Sequence, residues 1–466
     1  MKLRLRAATE LSVIVVFATL AGCASVPDVE PMIAQSSDGA TAPRIEGARG
    51  PLTARQSKAI LARLSTAPGD AGLLQRHAAV EEAVAETPLV AGNRTRILRD
   101  GRETFPAMFD AMRNAKNHIN LEYYILEDIE YGGERLSDLL IDKRRQGVAV
   151  NVINDSYGSG DTPAEFFNRL KVAGINMLEF NPLDPLKSRT GYSPNDRDHR
   201  KILIVDGATA IVGGVNLSTK YQRNPIGKSG TPPGDEAKPW RDTDIEIEGP
   251  VVARLQTLFL DHWHEQGGQP LQDAAFFPTV PQKGSEVVRI VGSSPDDAIP
   301  RYYVTVLTAI RNAEKSIELT AAYFVPTHDE MEDLIHAARR GVQVRLLLPD
   351  RSDSGLANDV AHSRYSDLLE AGINIFEIHD MVLHSKTVVV DGVWSIIGSS
   401  NFDHRSVLFN DEVDAVVLGS ETALQMHDHF EEDLRDAQQI DPATWGDRPL
   451  SQKVSEYWAR FWQSLL

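Results

Sequence analysis

Two histidines set in the same nine-residue frame are the side chains best equipped for chemistry in this sequence. His199-Arg-Lys201-Ile-Leu-Ile-Val-Asp206-Gly207 recurs as His384-Ser-Lys386-Thr-Val-Val-Val-Asp391-Gly392, and each frame has an Asn ten residues past its Asp, Asn216 and Asn401. Two copies with matching tails are far rarer than one chance match. Imidazole gains and loses a proton near neutral pH and is also a nucleophile. Lys201 and Lys386 add cations, and the two carboxamides add neutral N–H donors. Such a set suits a negatively charged substrate: the lysines and asparagines hold its oxygens, one neutral imidazole attacks, and the other, protonated, donates to the leaving group. The near-symmetry of the two frames does not choose which histidine does which.

The elements that must position these groups follow from a period of two. Lys201, Leu203 and Val205 share a strand face with His199, while Ile202 and Ile204 line the other. Asp206-Gly207 is a two-residue hairpin signal before a returning apolar run, Ala210-Ile211-Val212. Closing the hairpin sets Val205 opposite Ala208 and His199 opposite Gly214, with Asn216 at the same open end; the second copy sets His384 opposite Ser399, with Asn401 close by. Asp206 and Asp391 lie five residues from their lysines, roughly 16 Å along a strand, so they are structural acids of the turn. Further on, Asp242-Thr-Asp244-Ile-Glu-Ile-Glu-Gly249 and Glu412-Val-Asp414-Ala-Val-Val-Leu-Gly419 are acidic strands ending in Gly. Aligned on that Gly, Asp242 matches Glu412. These two are candidates for the carboxylates that fix a histidine tautomer, ordinary strand-end acids being the alternative.

The order of elements also repeats. Strands at 119–126, 148–154 and 175–180 alternate with helices at 134–146 and 163–173. Strands at 317–324, 342–348 and 373–378 alternate with helices at 329–340 and 363–371. Ala173-Gly174-Ile175-Asn176 matches Ala371-Gly372-Ile373-Asn374. A duplication of α/β units implies two similar domains about an approximate two-fold axis, which can bring both hairpin ends into one cleft. The expected organisation is a leader at 1–23, a flexible tether at 24–51 and a helical extension at 52–87 with helices at 53–64 and 72–86. A first domain at 88–266, a proline-marked linker at 267–284, a second domain at 285–440 and a C-terminal helical region at 441–466 complete it.

Together these residues resemble the phospholipase D superfamily, and most closely its bacterial cardiolipin-synthase branch, over roughly residues 88 to 440. Leu121-Glu122-Tyr123-Tyr124, the second histidine frame and Asn410-Asp411-Glu412-Val413 carry the likeness beside the twin motif. The resemblance implies two phospholipase D-like α/β domains with one site at their interface, and catalysis without metal or cofactor. It implies His199 as nucleophile, His384 as acid and a phosphatidyl-histidine intermediate. An alcohol resolves that intermediate by transfer, giving cardiolipin and glycerol when donor and acceptor are both phosphatidylglycerol; water resolves it to phosphatidic acid. A nuclease and a non-enzymatic envelope lipoprotein are the remaining readings. The chain departs from the best-known branch members, which carry N-terminal membrane spans.

In place of spans there is a basic start (Lys2, Arg4, Arg6), an apolar run and Leu20-Ala21-Gly22-Cys23, the form of a bacterial lipoprotein cleavage site. Cys23, the only cysteine, is the expected lipidation site. By resemblance to bacterial lipoproteins, Ala24 after it favours the outer membrane, facing the periplasm. The tether's 27 residues or so give a reach of roughly 30 Å. A net charge of −18 argues against nucleic acid as partner. From 183 to 241, however, ten Lys and Arg stand against six Asp and Glu, a local balance suited to anionic phospholipid at a membrane surface. Tyr192, in the long loop there, is a possible lipid contact or part of a plain surface insertion. Internal two-fold symmetry favours a monomer. The pairs His262/His264 and His427/His429 diverge by about 200° on a helix and cannot chelate one metal together, so no metal site is expected. Val454, Tyr457, Trp458, Phe461, Trp462 and Leu465 form an amphipathic pattern, with packing on the protein's own core preferred over burial in a bilayer interface.

Overall fold

The computed structural model describes residues 26–31, 33, 43–65, 70–84, 87–182, 193–222, 238–271, 275–352 and 354–465. The leader with Cys23 and the segment 183–192 with Tyr192 lie outside the described residues.

The first half runs β1 (Leu89–Arg99), α1 (Asp100–Asn114), β2 (His118–Tyr123), α2 (Leu136–Arg145), β3 (Ala149–Asp155), α3 (Ala164–Val172), β4 (Asn176–Phe180), β5 (Lys201–Val205), β6 (Thr209–Gly213), β7 (Thr243–Glu248) and α4 (Val252–Glu265). The second half repeats it as β8 (Glu286–Ser293), α5 (Arg301–Arg311), β9 (Ser316–Ala321), α6 (His328–Arg339), β10 (Gln343–Pro349), α7 (Gly355–Glu370), β11 (Asn374–Ile378), β12 (Lys386–Val390), β13 (Trp394–Gly398), β14 (Asn410–Leu418) and α8 (Ser420–Leu434). Pairing gives the order β4-β3-β2-β5-β6-β7-β1 in the first half and β11-β10-β9-β12-β13-β14-β8 in the second. The halves join edge to edge where β1 pairs antiparallel with β8.

Strand alternation decides which layer each side chain enters. Leu203 and Val205 face Phe105, Phe109 and the other helix-side residues of the first half. Ile202 and Ile204 face inward, into a central layer with Ile245, Ile247, Val389, Ala415 and Val417. Both halves feed that layer, and each fully buried aliphatic side chain contributes about 1.5–3 kcal/mol.

The hairpins differ from the expected register by one residue. Asp206 (φ +52) and Gly207 (φ +61) form the expected tight turn, as do Asp391 (φ +56) and Gly392 (φ +66). Ala208 N–H donates to Val205 O at 3.1 Å and Val393 N–H to Val390 O at 3.1 Å. The ladders then resume with Val205 opposite Thr209 and Val390 opposite Trp394. Ala208 and Val393 are therefore single-residue bulges, which hairpin statistics alone do not reveal.

The stretch at 24–51, expected as a free tether, is folded where it is described. Ile45–Gly47 lies parallel to the start of β1, and Val29 and Ile33 bury against Tyr303, Val304 and Leu307. The few apolar residues in this stretch find partners on the second half. Helices Ala54–Arg63 and Asp70–Val84 follow, the first opened by a Thr53/Gln56 capping box. The segment after α4 packs too, with Phe276 edge-on to His118 at 4.9 Å. The C-terminal helix, Leu450–Ala459, contradicts the preferred reading of its pattern. Its inward residues are Glu456 and Ala459, while the aromatic side faces out.

Candidate active site

Two short bridges between the halves place the histidines. Arg197–Asp198, just before His199, pairs in parallel with Asn410–Asp411, just before Glu412. Trp240–Arg241, just before Asp242, pairs in parallel with Val382–Leu383, just before His384. His199 N–H donates to Asp411 O at 2.9 Å and His384 N–H to Arg241 O at 2.7 Å. Each histidine thus enters beside the carboxylate of the opposite half.

The side chains complete the exchange. His199 Nδ1 lies 3.1 and 3.0 Å from the two Glu412 carboxylate oxygens. His384 Nδ1 lies 2.7 Å from Asp242 Oδ2. Donation from Nδ1–H to a carboxylate fixes the tautomer that leaves Nε2 for chemistry. Glu412 is itself held by the hydroxyls of Ser399 (2.6 Å) and Ser406 (2.9 Å) and by Asn410 Nδ2 (3.1 Å). Around His384 Nδ1 stand Lys386 Nζ at 2.9 Å and the Tyr221 hydroxyl at 3.1 Å. Lys201 Nζ and Lys386 Nζ each donate to the backbone carbonyl of their own histidine. A side chain at Gly214 would collide with the Asp242 carboxylate, so glycine is required there by close approach.

His199, His384, Asn216 and Asn401 line one cleft of about 280 Å³ together with Tyr124, Tyr323 and Trp240. Arg197, Lys220 and Arg405 bring positive charge to the same walls. Asn216 Oδ1 accepts from Ile125 N–H at 3.0 Å, and its Nδ2 donates to the Tyr221 hydroxyl at 3.4 Å. Asn401 is fixed through its backbone N–H, which donates to Ser406 Oγ at 2.9 Å, and its buried Oδ1 has no hydrogen-bond partner among the described residues. Tyr124 meets His199 edge-on at 5.1 Å, and the Trp240 ring lies 5.1 Å from that of His384.

Burial sets the charge states. It pushes His199 down to about 4, helped by the Lys201 and Lys386 ammonium groups and opposed by Glu412. Burial, again with Lys386 beside it, lowers Lys201 to about 7. Burial alone would raise Glu412, but His199, Lys201 and the Ser399 hydroxyl hold it below its usual value. Asp242 is likewise held down against burial by His384 and Lys386. The site therefore offers a neutral imidazole over an ionised carboxylate.

The motif aspartates sit at the far ends of the strands. Asp206 accepts from the backbone N–H groups of Lys116, Asn117 and His118 at 2.7–3.0 Å. Asp391 does the same for Glu314, Lys315 and Ser316, and His77 Nε2 lies 3.2 Å from it. Both serve the turn.

Sequence reasoning gave no role to Asp244 and Asp414, two residues past Asp242 and Glu412 on the same strand face. Asp244 accepts from Val215 N–H at 3.0 Å, and Asp414 from the Ser400 hydroxyl at 2.5 Å and the Ser400 backbone N–H at 3.4 Å, so each holds the residue just before a cleft Asn. Burial pushes Asp414 up to about 8 and Asp244 well above the carboxylate range, each with a neighbouring carboxylate adding to the effect. The period-two spacing was the available signal. Tyr124 and Tyr323, each just past an equivalent strand, also line the cleft, and no spacing rule marks them for it.

Behind His199 lies a buried charge cluster. Glu122, Asp198 and His262 bring potential ligand atoms within 4.8 Å of one another, the one such group among the described residues. The Arg200 guanidinium already supplies positive charge there, 3.2 Å from both Glu122 and Asp411. His262 Nδ1 lies 2.8 Å from Glu122 Oε1, so this histidine is part of the packed interior.

Comparison with known proteins agrees with this architecture. A family model described as cardiolipin synthase, PLD-like domain, matches residues 108–224 and 306–434. A cardiolipin synthase of Geobacillus thermodenitrificans (strain NG80-2) is 34% identical over 410 residues, covering 87% of this chain and 78% of the relative. One from Geobacillus sp. (strain WCH70) is 35% identical over 389 residues, covering 82% and 74%. Among solved structures, phosphatidylserine synthase of Haemophilus influenzae Rd KW20 superposes with a TM-score of 0.61 over 84% of this chain and 100% of that one; at 13% identity this speaks for the fold alone. By sequence match and architecture together, the chain belongs to the phospholipase D-like family of cardiolipin synthases.

Proposed function

We propose that the protein transfers a phosphatidyl group between alcohols, with phosphatidylglycerol as both donor and acceptor. The observation that carries the reading is the crosswise pairing of each cleft histidine with the other half's carboxylate. His199 Nε2 attacks phosphorus with its lone pair. The bond from phosphorus to the glycerol oxygen breaks, and protonated His384 gives that oxygen its proton. Lys201, Lys386, Asn216 and Asn401 hold the non-bridging oxygens, where charge builds in the transition state. Neutral His384 then takes the proton of an incoming phosphatidylglycerol hydroxyl. Its oxygen bonds to phosphorus as the phosphorus–His199 bond breaks, yielding cardiolipin and restoring both histidines.

The depressed His199 supports its assignment as nucleophile, because a neutral ring is needed for attack. The basic cleft walls support an anionic phospholipid substrate. The sequence at Cys23 and Ala24 supports a lipid-anchored envelope protein at the outer membrane, and the internal repeat supports a monomer. Among the described residues no helix is long and apolar enough to cross a membrane.

The test is incubation of labelled phosphatidylglycerol with the purified protein. Cardiolipin and glycerol in equal amounts, both lost in His199→Ala, are expected. Phosphatidic acid without cardiolipin would replace transfer by hydrolysis.

A further inference from the structure

The C-terminal helix is turned inside out relative to an ordinary surface helix. Such helices bury their apolar stripe and expose their charges. Here Ala459 is 3% and Glu456 6% exposed, the latter paired with Arg448 at 2.7 Å. Leu450, Val454, Tyr457, Trp458, Phe461 and Trp462 instead lie outward, at 40–79% exposure. Leu450, Val454, Tyr457 and Trp458 follow helical spacing, and Phe461, in the 3-10 helix Arg460–Leu465 that continues the chain, meets the rings of Tyr457 and Trp458 at 5.6 Å each, so the side chains form one continuous stripe. Contiguous exposed apolar surface of this kind marks an interaction site. Tryptophan and tyrosine beside aliphatic residues are the composition favoured at the headgroup level of a bilayer.

The position of the stripe selects its occupant. Ala459 packs in one cluster with Val325, Ala357 and Val360. Val325 and Ala357 also line the cleft that holds His199 and His384. The helix is therefore built onto the cleft wall, with α7 between them supplying Ala357 and Val360. A cleft of about 280 Å³ lies at the small end of ligand sites, which run to about 300–1,000 Å³, enough for a headgroup but not for two acyl chains. The chains of a bound lipid must lie beside the cleft, in an apolar medium.

We propose that residues 450–462 form an interfacial docking helix that seats the cleft against a phospholipid bilayer, so that a headgroup enters while its acyl chains stay in the membrane. The proposal rests on the phosphatidyl-transfer reading for its substrate. Docking itself can be measured without turnover.

The test uses the full-length protein bound to phosphatidylglycerol vesicles doped with brominated lipid, reading tryptophan fluorescence. Quenching is expected, and it should largely vanish in Trp458→Phe/Trp462→Phe. A second variant, Trp458→Asp/Phe461→Asp, changes only exposed side chains and should keep its melting temperature. It is expected to lose at least tenfold in turnover of vesicle phosphatidylglycerol while turning over monomeric dihexanoyl phosphatidylglycerol like the wild type. Quenching unchanged by the phenylalanine substitutions would overturn the proposal. So would a lipid-free dimer that the aspartate variant dissociates, since the occupant would then be a second copy. Quenching as expected with no turnover of either lipid would uphold docking and remove the phosphatidyl-transfer reading instead.

Discussion

At the scale of single residues the site works by exchange, since neither half holds both members of a histidine–carboxylate pair. Glu412→Gln keeps the shape but offers an amide where Nδ1–H needs an acceptor of full negative charge. Loss of about 10³–10⁴-fold in kcat is expected when an orienting carboxylate is neutralised, with vesicle binding unchanged; labelled phosphatidylglycerol turnover measures it. Activity within tenfold of wild type would remove Glu412 from the orienting role. The charge states fix a pH profile as well. His199 must be neutral, so kcat/KM should rise through about 4 as its proton leaves. Lys201 must be charged, so kcat/KM should fall through about 7 as its proton leaves. A profile flat from pH 5 to 9 would contradict the Lys201 role. At this scale the sequence was highly legible, because the twin frames name His199, Lys201, His384 and Lys386 outright. It was less so for Tyr221, whose contact with His384 crosses from one half to the other and follows no spacing rule.

The elements show why the motif aspartates recur though they are remote from the cleft. Each caps three consecutive backbone N–H groups that open the strand beside its hairpin, groups otherwise left without partners. Asp391→Ala is expected to lower stability by about 1–3 kcal/mol, the cost of unsatisfied buried donors, while kcat per folded molecule stays near wild type. Urea unfolding and turnover on the same sample check both halves of the statement; a large fall in kcat without a stability change would move Asp391 into the chemistry. The turn residues were readable because Asp and Gly tolerate the positive φ that both central positions of the tight turn require. The bulges at Ala208 and Val393 were not, because nothing in an Ala or Val marks an extra residue in a ladder. β1 and β8 gave no clear signal either: Leu-Val-Ala-Gly-Asn-Arg-Thr-Arg-Ile-Leu-Arg breaks its apolar run with Gly, Asn and Arg. Their polar positions are explained only by partners distant in sequence, such as Glu246 and Glu248 across β7 for Arg96 and Arg94.

On the scale of the whole molecule the repeat is a mutual dependence more than a pair of modules. The central layer draws Ile202, Ile204 and Ile247 from one half and Val389, Ala415 and Val417 from the other. Arg200 joins Glu122 of its own half to Asp411 of the second, and Arg241 joins Asp100 to Asp433 in the same way. Parting the halves would expose one apolar face of each sheet and leave buried Asp411 and Asp433 without their counter-charges, a loss of about 3–5 kcal/mol per broken pair. The sequence showed the duplication through its repeated phrases, and the two-fold followed from it. The interlock did not follow, because crossed pairing depends on two-residue bridges too short to leave a pattern. Unfolding should therefore be one cooperative transition, with calorimetric and van't Hoff enthalpies in agreement. A fragment of residues 285–466 should bind a hydrophobic dye and melt without a sharp transition, since its inner sheet face and Glu412 lack their partners. Two resolved transitions in the intact chain, or a fragment that melts sharply, would mean that each half is stable alone and that the active site is a docked interface between independent domains.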